Sequence, residues 1–129
     1  MKYHHTGKWI CFDFDGVLAT YSGWRGFDVL GEPIKDVIEC IKLLKEEGYK
    51  IVILTTRLDT PVMRNWLKIH NVPYDSINSN AHNPPNTSQK PIYDVIIDDR
   101  AVRYKGQTMQ ELLKEIHDVI TENDIRKDK

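Results

Sequence analysis

Two aspartates one residue apart, Asp13 and Asp15, stand at the end of an apolar run, and an adjacent pair, Asp98 and Asp99, ends another. A third apolar run, Ile51 to Leu54, leads into Thr55, Thr56 and Arg57. Carboxylates gathered at one place repel one another unless a cation sits among them. Hard oxygen ligands of this kind suit Mg2+, which takes one or two carboxylates and completes its shell with water and phosphate oxygens. Lys90, just ahead of the last of these runs, and the Thr55 hydroxyl add an ammonium and a hydrogen-bonding group. A metal, a hydroxyl and an ammonium form a cradle for a phosphoryl group, whose charge must be neutralised as the transition state forms. A carboxylate can then act as nucleophile and carry the phosphoryl group as an aspartyl-phosphate until water releases it.

Such convergence requires the apolar runs to be neighbouring parallel strands. Trp9 to Phe14 is aromatic and branched and ends in the turn signal Asp15-Gly16. Tyr49 to Thr55 has a continuous branched centre, as expected of a strand buried on both faces, and Ile92 to Ile97 reads as a further buried strand. Between them lie helical patterns. Pro33 suits a first turn, Ile34, Val37, Ile38, Ile41 and Leu44 recur at helical spacing, and Gly48 suits a left-handed cap. Asp59 or Thr60 can cap a helix from Pro61 with Val62, Met63, Trp66 and Ile69 on one face. A weak strand is expected around Tyr74 to Ile77, and Asn78 to Pro91 is polar and irregular, long enough to suggest a role at a site. A capping box, Thr108 with Glu111, opens a last helix with Met109, Leu112, Leu113, Ile116, Val119 and Ile120 as its apolar face, and the residues after Glu122 are expected to fray. Alternating strands and helices imply an α/β fold, a three-layer Rossmann-like parallel sheet covered by helices on both faces. In such sheets ligands bind beyond the carboxyl ends of the strands, which is where the acidic and hydroxyl groups fall.

The chain's 129 residues suit a single domain spanning 1–129, with flexible ends at about 1–7 and 123–129. A net charge of -1 argues against a bulk nucleic-acid-binding surface but leaves room for a small phosphorylated ligand held by a few local cations. Cys11 and Cys40 are far apart in apolar stretches and read as reduced core residues. No membrane-spanning run or signal peptide is visible, so the expected location is cytoplasmic. His4-His5, adjacent near a terminus, make poor convergent metal ligands.

These motifs resemble, in order, the four motifs of the haloacid dehalogenase (HAD-like) superfamily. Asp13-Phe14-Asp15-Gly16-Val17 matches the first, Ile51 to Thr55 the second, Lys90 the lysine of the third, and Asp98-Asp99 the fourth. The resemblance implies that Asp13 attacks phosphorus and binds Mg2+. It implies that Asp15 protonates the leaving oxygen, deprotonates the attacking water and offers its backbone carbonyl to the metal. Asp98 is then a metal ligand, and Asp99 a ligand directly or through water. Thr55 and Lys90 hold the phosphoryl group. Apart from the resemblance, Thr56 is a further candidate for substrate contact, and Arg57 reads equally as a contact to a substrate phosphate or as the partner of an acid. An aspartate at position 15 matches the phosphatase branch rather than the dehalogenases. Neither interval that holds a cap domain in the superfamily is long enough here, so the chain resembles a capless phosphatase. Its open site suits a large substrate end or closure by another copy in a homo-oligomer. Tyr21, Trp24 and Phe27 read equally as a flap over the site or as a loop packed on its own core. The expected substrate is a phosphomonoester, either a small molecule or a polymer end. The competing reading is a phosphorylation-switched, receiver-like module or one that binds phosphorylated ligands without turnover, but a receiver carries its phosphorylated aspartate at the end of a middle strand, where this chain has Thr55.

Overall fold

The structure, a computed structural model, describes residues 7–127, and the His4-His5 pair lies outside them. The elements run β1 (Trp9–Asp13), α1 (Lys35–Glu46), β2 (Lys50–Leu54), α2 (Pro61–Ile69), β3 (Ser76–Ile77), β4 (Val95–Ile97) and α3 (Met109–Lys127). The strands form one all-parallel sheet in the order β3-β2-β1-β4. The fold is therefore α/β and Rossmann-like. Neither 14–34 nor 78–94 contains a helix or a strand, so no cap is evident among the described residues.

The two central strands carry the core. Their register sets Ile10 and Phe12 beside Ile51 and Ile53. These four pack with Ile38 and Ile41 of α1 and with Met63, Trp66 and Leu67 of α2. Each such side chain contributes about 1.5–3 kcal/mol by leaving water. Phe14, just past β1, meets Trp66 edge-on at 4.9 Å between ring centroids. On the opposite face Cys11 and Val52 are fully buried, and Trp9 packs against His82 of the 78–91 stretch at 5.6 Å. That stretch is irregular but tied by its own amides. Asn80, itself buried, donates to the Ile92 carbonyl and accepts from the His82 N–H, while Asn83 donates to the Lys90 carbonyl and accepts from the Ile92 N–H.

Helix ends follow local chemistry. The Thr60 hydroxyl accepts from the Met63 N–H, and Thr108 and Glu111 exchange both bonds of a capping box. Gly48, after α1, adopts φ +93°. Pro33 instead precedes the N-cap residue Ile34 and lies outside the first turn. On α2, Leu67 takes the buried place assigned to Ile69, because the inward side centres on Met63, Trp66 and Leu67, and Ile69 is left 62% exposed. β4 pairs over only three residues, and Ile92 and Val95 are exposed, since an edge strand has one neighbour instead of two. α3 continues past Glu122 to Lys127. Its half-buried positions are Leu112, Glu115, Val119 and Asn123, so the apolar stripe at Met109, Leu113, Ile116 and Ile120 is turned toward solvent. Cys40 is likewise exposed rather than in the core, and both cysteines are free.

Candidate active site

In a parallel sheet all carboxyl ends share one edge, and the crevice lies where the chain reverses its direction of travel across the sheet. Here β1 is followed by β2 on one side, while β4 returns to its other side. Asp13 ends β1, Thr55 follows β2, and Asp98 and Asp99 follow β4. Carboxylate oxygens of Asp13, Asp98 and Asp99 all lie within 4.8 Å of one another. Burial, and after it the charges of Asp98 and Asp99, push the Asp13 carboxyl up to about 7; a hydrogen bond with the Asp99 side chain acts in the same direction, and the Phe14 N–H opposes it. Three hard oxygen donors that resist carrying their charges together are a fitting donor set for a divalent cation.

The turn after β1 makes this approach possible. Gly16 adopts φ +87°, and a Cβ there would collide with the Asp99 carboxylate, whose carbon would lie 2.9 Å away. Backbone N–H groups of Leu18 and Ala19 both donate to the Phe14 carbonyl, closing the turn. Only glycine combines this backbone conformation with so close a neighbour.

Asp15 does not join the carboxylate cluster. Its two oxygens accept from Arg57, at 2.8 Å from Nε and 3.1 Å from Nη2. Arg57 is only 5% exposed, and its other bonds go to backbone carbonyls: Nη2 to Val29 at 3.1 Å, and Nη1 to Gly26 and Phe27 at 3.4 Å each. A guanidinium has five N–H donors, and these five contacts use them all. Of the two readings of Arg57, ligand of a substrate phosphate or partner of an acid, the structure shows the second. The Trp24 ring lies 4.9 Å from its guanidinium carbon, adding a cation–π contact. Of the aromatic residues in this loop, Tyr21 borders the site, while Trp24 and Phe27 serve to hold Arg57 through a ring and a carbonyl.

The Thr55 turn is braced from the side. Its N–H donates to the Asn78 side-chain oxygen at 2.8 Å, and the Asn78 amide donates to the Arg57 carbonyl at 3.1 Å. Asn78 adopts φ +57°, a left-handed conformation that asparagine tolerates. The Thr55 hydroxyl accepts from the Arg57 N–H at 3.1 Å. Asn78 escaped the sequence reading, although an asparagine closing a short strand is a signal for such a brace.

These parts surround a pocket of about 210 Å3, with Asp13, Asp15 and Asp98 as its acids and Thr55, Thr56, Tyr21 and Arg100 completing the wall. Arg100 was not anticipated; its place directly after the acidic pair is what brings it here. Lys90 does not line this pocket. Its ammonium stands 5.9 Å from the Tyr93 ring centroid, and its backbone is held by Asn83 and Ser88. It does lie near enough to Cys11, two residues before Asp13, to counter part of the rise that burial imposes on that thiol, which stands at about 11.

No family model matches the chain, and no curated protein does. Solved structures do match. A conserved protein from Bacteroides thetaiotaomicron aligns over 85% of this chain and 88% of its own, with 23% identity and a TM-score of 0.59. A chain of the Pnkp1/Rnl/Hen1 RNA repair complex aligns over 88% of this chain, with 18% identity and a TM-score of 0.54; the match spans 38% of that longer chain. At these identities the likeness is one of fold. No helix among the described residues is long and apolar enough to cross a membrane.

Proposed function

We propose that the chain is a Mg2+-dependent phosphatase of the haloacid dehalogenase type, acting on a phosphomonoester through an aspartyl-phosphate. The observation that carries this reading is the unlike environment of two aspartates one residue apart. Asp13 sits in the carboxylate cluster, and Asp15 is held apart by Arg57 at the wall of the same pocket. Paired acids in different surroundings can take different roles. Asp13, Asp98 and Asp99 are the side chains suited to hold Mg2+, which when bound offsets the negative charge of the phosphoryl group.

In the first half-reaction an Asp13 oxygen attacks phosphorus, the bond to the leaving oxygen breaks, and Asp15 gives that oxygen a proton. In the second, Asp15 takes a proton from water, whose oxygen attacks phosphorus and frees Asp13 and phosphate. In this reading the Thr55 hydroxyl and Arg100, which both line the pocket, hold the phosphoryl oxygens, and Lys90 takes part by turning from Tyr93 toward Asp13. With no cap evident, the pocket accepts a small phosphorylated molecule or the phosphorylated end of a polymer. Phosphate release from sugar phosphates, nucleotides and phosphorylated oligonucleotide ends, with Mg2+ and with chelator, tests this. Turnover that needs Mg2+ supports the reading; turnover undiminished by chelator rejects it.

A further inference from the structure

Arg57 lies 42 residues from Asp15 in sequence and spends all its donors on two things, the Asp15 carboxylate and the 26–29 backbone. Four features of the 20–31 loop meet it: the carbonyls of Gly26, Phe27 and Val29, and the Trp24 ring over the guanidinium. The two ends of the loop meet each other. Thr20 N–H donates to the Glu32 carbonyl, the Thr20 hydroxyl accepts from the Glu32 N–H, and a Cβ at Gly31 would collide with the Thr20 carbonyl. The base of the loop is thus closed by contacts between Thr20 and Gly31–Glu32 and by the Trp66 Nε1–H donated to the Gly31 carbonyl, while the 26–29 span is held by Arg57. Between loop and guanidinium lies a second cavity of about 180 Å3, walled in part by Tyr21, Ser22, Arg25 and Glu32, and Tyr21 borders the catalytic pocket as well.

We propose that Arg57 is a positioning residue that latches the 20–31 loop to Asp15, so that the loop's seating and the aim of the proton donor are set together. The proposal rests on the phosphatase reading given above for the role of Asp15. Each carboxylate oxygen has two lone-pair directions, and Arg57 takes one on each, leaving another free for the proton that goes to the leaving oxygen. A lysine here retains a positive charge but offers a single point of donation and cannot hold two carboxylate oxygens and three carbonyls at once.

The test separates proton donation from folding. Arg57→Lys and Arg57→Gln are compared with the parent on an alkyl phosphate, whose alkoxide needs a proton to leave, and on p-nitrophenyl phosphate, whose phenolate does not. General acid catalysis contributes about 10²–10⁴-fold. The expected result is a loss of about 10²-fold in kcat/KM on the alkyl ester and less than about fivefold on the nitrophenyl ester, with Arg57→Lys closer to the parent. Equal losses on both esters overturn the proposal. The latch is read without activity, by the rate of tryptic cleavage after Arg25 in the folded chain, which is exposed and within the loop. Cleavage at least about tenfold faster in Arg57→Lys supports the latch; an unchanged rate overturns it. If Arg57→Gln does not fold, the double variant Asp15→Asn/Arg57→Gln, which leaves no unpaired charge, takes its place in the cleavage assay with the same expected result. If the parent releases phosphate from neither ester, the phosphatase reading fails, and cleavage after Arg25 still decides the latch.

Discussion

Asp13 pushed up to about 7 by burial and by its acidic neighbours makes protons and Mg2+ competitors for one site. At pH 6 about nine in ten Asp13 carboxyls then hold a proton before the metal arrives, so binding releases about 0.9 proton per ion. At pH 8 the release falls to about 0.1 proton. The ionised fraction rises about 25-fold between pH 5.5 and pH 7.5, so apparent Mg2+ affinity should rise by about 25-fold, or about 1.9 kcal/mol. The sign is opposite for the metal-free fold. The folded Asp13 carboxyl lies above its ordinary value of 3.8, so its contribution to stability is complete below that value and is lost as pH rises toward about 7. The Tm of the metal-free chain should therefore fall across that window relative to Asp13→Asn, and Mg2+ should offset the fall. Titration calorimetry in two buffers of different ionisation enthalpy counts the protons directly. Asp98→Asn, which removes the larger of the two like charges acting on Asp13, should lower the release at pH 6. No proton release at pH 6, together with an affinity flat from pH 5.5 to 7.5, would refute the coupling of Asp13 to the cluster.

Gly16→Ala forces a Cβ into the Asp99 carboxylate at positive φ, so a loss of about 1–3 kcal/mol in chemical denaturation and at least about tenfold weaker Mg2+ binding are expected. A variant with parent stability and affinity would mean that Asp99 need not lie against the turn. Asn78→Ala removes both bonds bracing the Thr55 turn and leaves buried groups unmatched; about 1–3 kcal/mol of stability should go, with a lower kcat/KM from the displaced Thr55 hydroxyl. Lys90→Ala and Arg100→Ala compare the cation expected from the sequence, which stands by Tyr93, with the one that lines the pocket. Steady-state kinetics should show a loss of about 10²-fold in kcat for Lys90→Ala and mainly a higher KM for Arg100→Ala. If only Arg100→Ala impairs turnover, Lys90 takes no part in the reaction.

The elements legible in the sequence were those whose residues answer to local rules. Trp9–Asp13 and Lys50–Leu54 are branched, central and buried on both faces, and the capping chemistry of Thr60 and Thr108 marks helix starts directly. β4 was overextended because an apolar run does not reveal that it will lie at an edge. The stripe on α3 was misplaced because helical periodicity defines a face but not what that face will meet. At the site, the clustering of Asp13, Asp98 and Asp99 followed from strands ending in acids. Pairing with an acid was one of two readings of Arg57; which acid, and the carbonyls it also holds, were not legible, since they depend on an aspartate 42 residues away and on a loop that crosses back 28 to 31 residues earlier in the chain. The brace from Asn78, 23 residues after Thr55, was hidden for the same reason.

Covalent phosphorylation of Asp13 is open to acid quenching during turnover. The parent chain, mixed with Mg2+ and a substrate found by phosphate release, is stopped in acid within milliseconds, digested and sequenced by mass spectrometry. A hydroxylamine-labile phosphoryl group is expected on the peptide containing Asp13 and not in Asp13→Asn, which should keep the parent fold and release no phosphate. Turnover by Asp13→Asn at the parent rate, or a phosphoryl group trapped on another residue, would contradict it.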